Sequence, residues 1–496
     1  MKLLLGIEII TLFLGIKSFG NKNNTIDDIK LLDSKSDNLF AIMVKGSDGN
    51  YNESSTFPEG MYVLNETMSS CIDNNGNKID NVLSYESGHV YTRTNKTVYC
   101  YLYFDKDNSV YAKVLGDFSN NKGVKKTTDE NEKDVYYYAG NVTNNNLVLN
   151  NYCWKMVRTT ETDGVKLIYN GVYSDSTKCD NTGTSVYIDS NYTAFNTNYN
   201  SPAYVGYMYG TVYAYSKKSG SSFGTYYYGS DVTWNGTTYT LSDAESGTIA
   251  NMYSKLSSKH YTCLSTSSSC STVYYIYYMG SATDTAYYMT LANGKKIEDT
   301  LDEMLNYNTT NSNIKTVIDN WYSTNMTNVT DYIENAIYCN NRYIANLSAS
   351  GWNPSGGTIS GSISYLQFND YNDSNARLTC QDKEDQFTLK VDSGGTLGYG
   401  NNALDYPVGL LTLKEASLAF GGSSTNYLNN GDYYWLLSPN YFYNYLASVR
   451  YVRYGSLDYN GVSSAFRARP AVSLLTKVKL SGEGNGTVES PYVVSK

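Results

Sequence analysis

Short apolar runs separated by turn residues recur along this chain, and they constrain its fold more than any other feature. Between residues 38 and 104 the segments LFAIMVK, GMYVLN and VYCYLYFD alternate with clusters of Gly, Asn and Asp. Apolar runs of four to eight residues bounded by such turn formers are typical of β-strands. Two later segments have the longer period of a helix. We therefore expect a mostly β protein with a few helices, of the α+β class.

The first twenty residues, MKLLLGIEIITLFLGIKSFG, have the pattern of a secretory signal. A leading lysine precedes an apolar run from Leu3 to Ile16, and small residues follow at Ser18 and Gly20. The run contains Glu8 and is shorter than the roughly 20 apolar residues that a bilayer span needs. We expect cleavage after Gly20, and an uncleaved membrane anchor is the weaker alternative.

Changes in composition divide the rest of the chain. Residues 21–116 are expected to form a small, immunoglobulin-like β-sandwich. Residues 117–134, rich in Asn, Lys, Asp and Thr, are expected to be a linker between domains. Residues 135–480 are expected to form a larger domain, in which the Tyr, Gly and Ser-rich segment 201–278 consists of insertion loops and short strands. Residues 481–496 are expected to be a C-terminal tail.

One hairpin and two helices are predicted inside the larger domain. Apolar residues alternate with polar ones around Trp154 and around Leu167, on either side of an Asp-Gly turn, which predicts a hairpin with one buried face. In SNIKTVIDNWYSTNM the apolar residues have helical spacing, and Ser312 is a suitable N-cap. In LLTLKEASLAFGG, Thr412 and Glu415 match a capping box before a glycine stop, which predicts a helix over 413–420.

Eight cysteines fit export into an oxidising compartment. They fall into four neighbouring pairs, so sequential pairing is our preferred connectivity, and free buried thiols are the alternative. The expected disulfides are Cys71–Cys100, Cys153–Cys179, Cys263–Cys270 and Cys339–Cys380. We expect the first of them to join the two layers of the sandwich.

Charge and motif content argue against several classes of function. The net charge is −9 and no basic block is present, so nucleic acid is not an expected partner. Two histidines and no CxxC spacing argue against zinc, and we expect neither a metal nor a cofactor. GSSFG around Ser222 lacks the strand, helix and histidine that a nucleophile elbow needs. Carboxylate pairs such as Asp382 with Glu384 leave open a secreted enzyme.

The segment YYWLLSPNYFYNYLASVRYVRYGSLDYNGVSSAFRARPAV, residues 433–472, carries the strongest functional signal. Apolar residues such as Val449 and Val462 can fill a core, but the Tyr, Asn, Ser and Arg between them are too many to bury without partners. Four of the chain's eight arginines lie between Arg450 and Arg469. Binding surfaces favour these side chains. We interpret the segment as a scaffold with a display surface, and a merely tyrosine-rich exposed face is the alternative.

YYWLLSP, the aromatic and Asn-rich segment after it, and RPAVSL resemble the C-terminal part of C-type-lectin-fold variable proteins of diversity-generating retroelements. Many of these are predicted exported proteins of gut Firmicutes and related bacteria. NYCWKMVR, GYMYG, IKTVIDNWY and YPVGLLTLKEASLA also resemble segments of such proteins, so the resemblance covers about residues 135–480. A more distant resemblance is to the formylglycine-generating-enzyme branch of the fold. That enzyme needs reactive cysteines in its C-terminal half, and no cysteine follows Cys380 here.

The resemblance implies a way in which the surface was diversified. In this family, reverse-transcription errors at template adenines randomise AAY codons, which never become codons for Lys, Glu, Gln, Met or Trp. Residues 440–467 contain none of these five, although they make up 65 of the 496 residues. A random window of that length would lack all five with a chance of about 2% on this background composition. The missing residues fit a variable region over 440–467.

Carried over to this chain, the resemblance implies two sets of residues. The expected ligand contacts are Asn440, Tyr441, Tyr443, Asn444, Tyr445, Arg450, Arg453, Tyr454, Asp458, Tyr459, Ser463 and Ser464. The expected fixed scaffold is Trp435, Ser438, Pro439, Phe442, Gly455, Leu457, Arg469 and Pro470. Where the family often has Gly-Val before Arg-Pro, this chain has Arg467-Ala468, which puts the geometry of a turn there in doubt.

The function that this implies is recognition rather than catalysis. We expect an exported, secreted or cell-surface protein, not an enzyme, whose lectin-like face binds a protein or glycan on another cell, a phage or a host surface. Contact with a membrane is expected only through the N-terminal segment, if it is not cleaved. The alternatives are a secreted enzyme that uses carboxylates on the same fold and a structural surface protein.

Overall fold

The structure of this chain is a computed structural model. It describes residues 39–46, 48–58, 62–80, 83–86, 89–92, 97–188, 191–219, 222–228, 239–240, 243–248, 261–263, 269–270, 272–278, 285–292, 302–346, 362–365, 376–390, 399–443 and 446–495. The described part is mostly β with a few helices, which confirms the expected class. The predicted signal lies outside it. Within the described residues, no helix is both long and apolar enough to cross a bilayer.

The chain divides into two compact units, the first ending at Val124 and also including Thr476–Gly482. Its strands are β1 (Leu39–Lys45), β2 (Tyr51–Ser54), β3 (Tyr62–Leu64), β4 (Ser70–Ile72), β5 (Lys78–Ile79), β6 (Leu83–Glu86), β7 (His89–Thr92) and β8 (Tyr99–Lys106). One sheet has the order β2-β1-β8-β4-β5, with β3 also paired to β8. The first and last strands, β1 and β8, run parallel at its centre. β6 and β7 form a separate hairpin.

The disulfide of the first unit lies within this sheet. Cys71 and Cys100 are direct partners on the antiparallel strands β4 and β8, with Cα atoms 4.0 Å apart. The predicted pairing is therefore observed, but the prediction that it joins two layers is wrong, because the bond links neighbouring strands. Both cysteines are buried in a cluster with Phe40, Ile42 and Leu102.

Helix α1 (Val110–Ser119) follows β8 and was not predicted. Ser109 is its N-cap, and the hydroxyl of Ser109 accepts a hydrogen bond from the amide of Ala112. The amide of Val110 donates to the carbonyl of Val478, and the amide of Leu480 donates to that of Asn108. Residues near the C-terminus are thus part of the first unit, next to the start of α1.

The second unit contains the remaining helices and strands. Its described helices are α2 (Asn313–Asn325), α3 (Leu413–Phe420) and a single helical turn at 302–305, with 3-10 turns at Gly183–Val186, Pro202–Val205, Thr327–Tyr332 and Lys383–Asp385. Its strands are β9 (Val124–Thr128), β10 (Asp134–Tyr138), β11 (Asn146–Leu149), β12 (Tyr152–Thr159), β13 (Val165–Val172), β14 (Thr193–Ala194), β15 (Met208–Tyr209), β16 (Tyr215–Ser219), β17 (Ser222–Tyr228), β18 (Tyr239–Thr240), β19 (Asp243–Thr248), β20 (Tyr261–Cys263), β21 (Ser269–Cys270), β22 (Thr272–Tyr278), β23 (Thr285–Ala292), β24 (Thr310–Asn311), β25 (Tyr338–Cys339), β26 (Ile344–Asn346), β27 (Ser362–Tyr365), β28 (Gln386–Phe387), β29 (Tyr433–Tyr443), β30 (Leu446–Arg453), β31 (Ser456–Gly461), β32 (Ala465–Phe466), β33 (Ala471–Leu474) and β34 (Tyr492–Val493).

A seven-stranded sheet of the second unit corrects three predictions. Its order is β33-β13-β12-β10-β9, and β11 pairs with both β12 and β34. The boundary between the two units falls inside residues 117–134, after Val124, as predicted. The segment is not only a linker, however, because it contains the end of α1, strand β9 and the first residue of β10. Residues 481–496 are not a simple tail, because β34 runs parallel to β11. The β12–β13 hairpin forms as predicted, but both of its faces are buried because these are interior strands.

Both predicted helices are present with their predicted caps. The hydroxyl of Ser312 accepts from the amide of Lys315 at the start of α2. At α3, Thr412 and Glu415 form the reciprocal capping box, and Gly421 ends the helix with a φ of 61°. Local sequence determined these ends, since each cap is a contact between residues three apart.

Two disulfides lie in the second unit. Cys153 pairs with Cys179 and Cys339 with Cys380, both as predicted. The expected Cys263–Cys270 bond lies outside the side chains that the structure describes. Three bonds in the described residues agree with folding in an oxidising, extracellular compartment.

A second sheet carries the segment that the sequence singled out. Its order is β26-β27-β29-β30-β31, and β29, β30 and β31 form an antiparallel meander. Strand β31 is the terminal strand of this sheet. The hairpin between β30 and β31 positions the candidate site.

Candidate ligand-binding surface

The tip of the β30–β31 hairpin is a two-residue turn formed by Tyr454 and Gly455. Arg453 and Ser456 are the last paired residues on either side. Tyr454 has a φ of 46° and Gly455 a φ of 75°, so both are in the left-handed region, as a type I′ turn requires. Gly455 also needs to be small, since a Cβ there would lie 2.5 Å from the carbonyl oxygen of Ser424. The turn therefore presents Tyr454 at its outermost point.

Tyr454 is unusual in combining this backbone with a large exposed ring. Bulky residues rarely adopt positive φ, because the side chain crowds the backbone, and Asn or Gly is the usual choice in such turns. The ring of Tyr454 is half exposed, and its centroid lies 4.7 Å from that of Tyr433. Asn or Gly would take this conformation at a lower backbone cost. The turn is thus not optimised for stability at this position.

Aromatic rings support the hairpin tip from below. Tyr433 and Tyr451 lie on neighbouring strands, and both pack on Phe466, at 5.6 and 4.3 Å between centroids. Phe466 in turn lies 4.6 Å from Trp435, which is fully buried. The cluster extends from the buried indole of Trp435 to the half-exposed ring of Tyr454. A rigid aromatic base of this kind positions exposed side chains at little cost in entropy.

Asp458 organises the polar part of the surface. Its carboxylate accepts hydrogen bonds from Arg453 Nη1 at 3.3 Å and from the Tyr451 hydroxyl at 3.2 Å. Burial, followed by the nearby charge of Asp458, raises the pKa of Tyr451 to about 12. Tyr451 is therefore a neutral hydrogen-bond donor over the physiological pH range. The carboxylate of Asp458 is used within the protein, which makes it a positioning group.

A second arginine next to the hairpin is also paired. Arg467 Nε donates to Asp432 at 3.0 Å, and its guanidinium lies 3.9 Å from the ring centroid of Tyr192. The Tyr192 hydroxyl donates to the same carboxylate, and its ring is half exposed. Both arginines of the surface thus have a carboxylate partner, and the surface presents aromatic and hydroxyl groups with little unbalanced charge.

Two shallow depressions flank the turn. The first, of about 310 Å³, is lined by Arg453, Tyr454, Ser456, Leu457 and Asp458. The second, of about 320 Å³, is lined by Ser417, Phe420, Gly422, Ser423, Ser424, Gly455, Ser456 and Leu457. They share two residues of β31, so a ligand can occupy both across the hairpin tip. Their volumes are at the small end of the range for ligand sites.

The twelve expected ligand contacts do not form a single surface. Arg453, Tyr454 and Ser463 are exposed, whereas Tyr441, Asp458, Tyr459 and Ser464 are partly buried. Asn440 and Arg450 are fully buried, so the prediction that they touch a ligand does not agree with their position. The side chains of Tyr443, Asn444 and Tyr445 lie outside the described residues.

The register of the strands explains this division. Cross-strand partners share a face, so Asp458 lies with Tyr451 on one face of the sheet, while Tyr459 lies with Arg450 on the other. On that second face Tyr441 packs against Tyr459 at 5.4 Å between centroids. Alternation along a strand therefore sends consecutive polar residues to opposite sides. The candidate surface therefore combines the hairpin tip and its two flanking depressions with the face of Asp458, and it does not include Arg450 or Tyr459.

The expected scaffold residues are mostly buried. Trp435, Ser438, Pro439, Phe442, Gly455, Arg469 and Pro470 are buried, and Leu457 is partly buried. Arg469 donates to the carbonyls of Tyr169 and Leu428 and to the amide oxygen of Asn170. The hydroxyl of Ser438 accepts from the amide of Leu413 and so links β29 to the start of α3.

The Arg467-Ala468 pair does not disturb the geometry. Arg467 bonds through its main chain to Tyr433 and Trp435, in a parallel bridge beside β29. Neither residue has a positive φ. No turn glycine is needed there.

Sequence reasoning missed several residues of the surface. Tyr192, Asp432, Tyr433, Tyr451, Phe466 and Arg467 all contribute to it. Tyr433 and Tyr451 had a usable signal, since each lies two positions from an expected site residue, Trp435 or Arg453, and alternate residues of a strand share a face. Tyr192 had none, because its contact with Arg467 joins residues 275 positions apart in the sequence.

A second cluster of charged side chains in the second unit is buried. Glu415 accepts from both Arg158 and Lys166 at 2.7 Å, and all three side chains are buried. Although burial opposes ionisation, the two cations hold the pKa of Glu415 at about 2. The pair Asp382 and Glu384 is exposed. Among the described residues, no group of three or more His, Cys, Asp or Glu side chains is placed to hold a metal ion.

No protein-family model, curated protein or solved structure matches the chain.

Proposed function

We propose that this chain is an exported ligand-binding protein whose recognition surface is the β30–β31 hairpin tip. The surface consists of Tyr454 and Arg453 above the ring cluster of Tyr433, Tyr451 and Phe466, with the two flanking depressions. Its ligand is a protein or a glycan on another cell, a phage or a host surface. Recognition would use aromatic stacking and hydroxyl hydrogen bonds, because both arginines already have carboxylate partners.

The observation that carries this proposal is the conformation of Tyr454. A large, half-exposed ring at positive φ costs backbone energy that Asn or Gly would avoid. Such outliers persist where the surrounding structure enforces them, and they cluster at functional sites. The rigid aromatic base beneath the turn supports the same interpretation, since it fixes the ring in place.

We further propose that this chain contains a C-type-lectin-like domain and that a diversity-generating retroelement diversified the codons of its binding surface. The absence of Lys, Glu, Gln, Met and Trp from residues 440–467 supports it. The genomic neighbourhood tests it: we expect a reverse-transcriptase gene and a near-copy of these codons that differs only where the copy has adenine. A locus with neither would refute the diversification proposal and leave the binding proposal standing.

Photo-crosslinking tests the binding surface while the ligand is still unidentified. p-Benzoylphenylalanine replaces Tyr454 in one protein and Tyr307, another exposed tyrosine of the second unit, in the control. Each protein is irradiated with bacterial and host cell-surface preparations, and a glycan microarray is probed in parallel. We expect a discrete adduct or glycan signal that depends on position 454 and is competed by unlabelled wild type, and not by Tyr454→Asn.

Two outcomes would contradict the proposal. One is equal labelling from both positions, which would indicate non-specific contact. The other is the absence of both adducts and glycan signals from a protein with a wild-type circular dichroism spectrum.

A further inference from the structure

Strand β31 is the terminal strand of its sheet, which normally leaves one row of backbone groups available. A terminal strand with unpaired amides and carbonyls can add a strand from another chain, and proteins protect such edges. The outer residues Ser456 and Asn460 are exposed, so side chains do not simply cover this edge. The question is how the edge is kept from pairing.

The register shows which amides point outward. The hairpin turn holds two residues, so its flanking pair, Arg453 and Ser456, is hydrogen-bonded. Hydrogen-bonded and non-hydrogen-bonded pairs alternate along antiparallel strands. The amide of Leu457, next to the turn, therefore faces away from β30 toward the outer edge, and so do the amides of Tyr459 and Gly461.

Two of the outward amides, those of Tyr459 and Gly461, donate to the side chain of the preceding residue. The amide of Tyr459 donates to Asp458 Oδ1 at 2.9 Å, and the amide of Gly461 donates to Asn460 Oδ1 at 2.8 Å. The same Asn460 oxygen also accepts from the Ser464 hydroxyl at 3.0 Å, which holds it in place. The repeat at alternate residues thus places a side-chain acceptor on two of the three outward donors.

We propose that Asp458 and Asn460 close the edge of β31 to strand addition, and that the strand they exclude is β31 of a second copy of this chain. The side chains take two of the three donors that an antiparallel copy would need. Ligand recognition at the neighbouring hairpin tip then proceeds through side chains, and not by addition of a strand to the sheet. The proposal rests on the hydrogen bonds of β31 and is independent of the proposed function.

Two double variants of the full chain separate capping from other roles of these residues. Asp458→Ala with Asn460→Ala removes both acceptors, whereas Asp458→Asn with Asn460→Asp keeps a side-chain oxygen at each position. Arg453→Ala is the further control, since it removes the ion pair with Asp458 and leaves both caps. Asn460→Ala alone is a milder variant in case the double alanine protein is poorly folded.

The probe is a fluorescent peptide of residues 455–462, GSLDYNGV, measured by fluorescence anisotropy, together with mass by light scattering. Releasing two donors should strengthen peptide binding by about fivefold or more over the wild type, since each hydrogen bond contributes about 0.5–1.5 kcal/mol. We expect the double alanine variant to bind the peptide or dimerise. The Asn/Asp variant and Arg453→Ala should behave as the wild type, and Asn460→Ala should fall between.

The proposal is overturned if the folded alanine variants neither bind the peptide nor dimerise. It is equally overturned if the wild type binds the peptide as well as they do, because the edge would then already be open.

Discussion

The interior around Arg469 and the surface around Arg453 use the same residue types for opposite purposes. Arg469 is buried, donates to two carbonyls and an amide oxygen, and lies over the ring of Tyr434. Arg453 is exposed and pairs with the carboxylate of Asp458. Neighbouring tyrosines divide in the same way, because Tyr434 is buried and Tyr433 supports the hairpin tip. Strand alternation and register, more than residue type, decide which side chains are displayed.

The largest expected effect comes from removing the buried arginine. Arg469→Ala removes one donor from each of two carbonyls and an amide oxygen in the interior, and only the carbonyl of Leu428 keeps a second side-chain donor, the hydroxyl of Tyr434. We therefore expect the second unit to lose about 3 kcal/mol of unfolding free energy. Urea unfolding followed by tryptophan fluorescence measures this unit, since all five tryptophans lie between residues 154 and 435. Arg453→Ala is the matched control, with no measurable loss expected. Equal losses of unfolding free energy for Arg469→Ala and Arg453→Ala would contradict the distinction between the buried region and the exposed region.

The next effect concerns Glu334, a buried carboxyl near the Glu415 cluster. Burial raises the pKa of Glu334 to about 7, although its oxygen accepts from Thr160 Oγ1 at 2.9 Å. Between pH 4.5 and 7 the folded state then holds a proton that the unfolded state has lost, so this group lowers stability as pH rises. Glu334→Gln should be more stable than the wild type by about 2 kcal/mol at about pH 8 and similar to it at about pH 4.

Urea unfolding at the two pH values measures the difference, with Glu384→Gln as the exposed control. A gain for Glu334→Gln that is the same at both pH values would show that charge burial is not its cause.

A smaller effect is expected at the link between β29 and α3. Ser438→Ala removes the hydroxyl that accepts from the Leu413 amide in the buried first turn of the helix. We expect a loss of about 1 kcal/mol in the same urea assay. Ser463→Ala removes an exposed hydroxyl from the proposed variable region and should have no effect. A loss at Ser463 that matches the loss at Ser438 would place that region in the core.

The elements that sequence predicted well depend on local contacts. Ser312, Thr412 and Glu415 cap helices through residues three positions away, so their ends follow from the sequence. The disulfide between Cys71 and Cys100 was paired correctly but given the wrong role, since sequence spacing does not distinguish two layers from two neighbouring strands. The segments predicted to be a linker and a C-terminal tail contain strands β9 and β34 for a related reason. Their polar composition predicts loops, but polar strands can pair at the margin of a sheet.

The candidate site was predicted in its location but not in its composition. Residues 440–467 supply the hairpin, yet Asn440 and Arg450 point into the interior. A run of polar residues does not determine the register of a strand. A shift of one position moves every side chain from the exposed face to the buried face, or the reverse. Tyr192 and Asp432 enter through contacts with Arg467 that only the tertiary structure creates.

The measurement that tests the central claim most directly is the stability of Tyr454→Asn. If Tyr454 is held at the turn for recognition, replacement by a residue that prefers positive φ should leave the unfolding midpoint equal to or above that of the wild type. The same variant should fail to compete for the crosslinked partner. A midpoint clearly below that of the wild type would contradict the account, because Tyr454 would then be a structural residue.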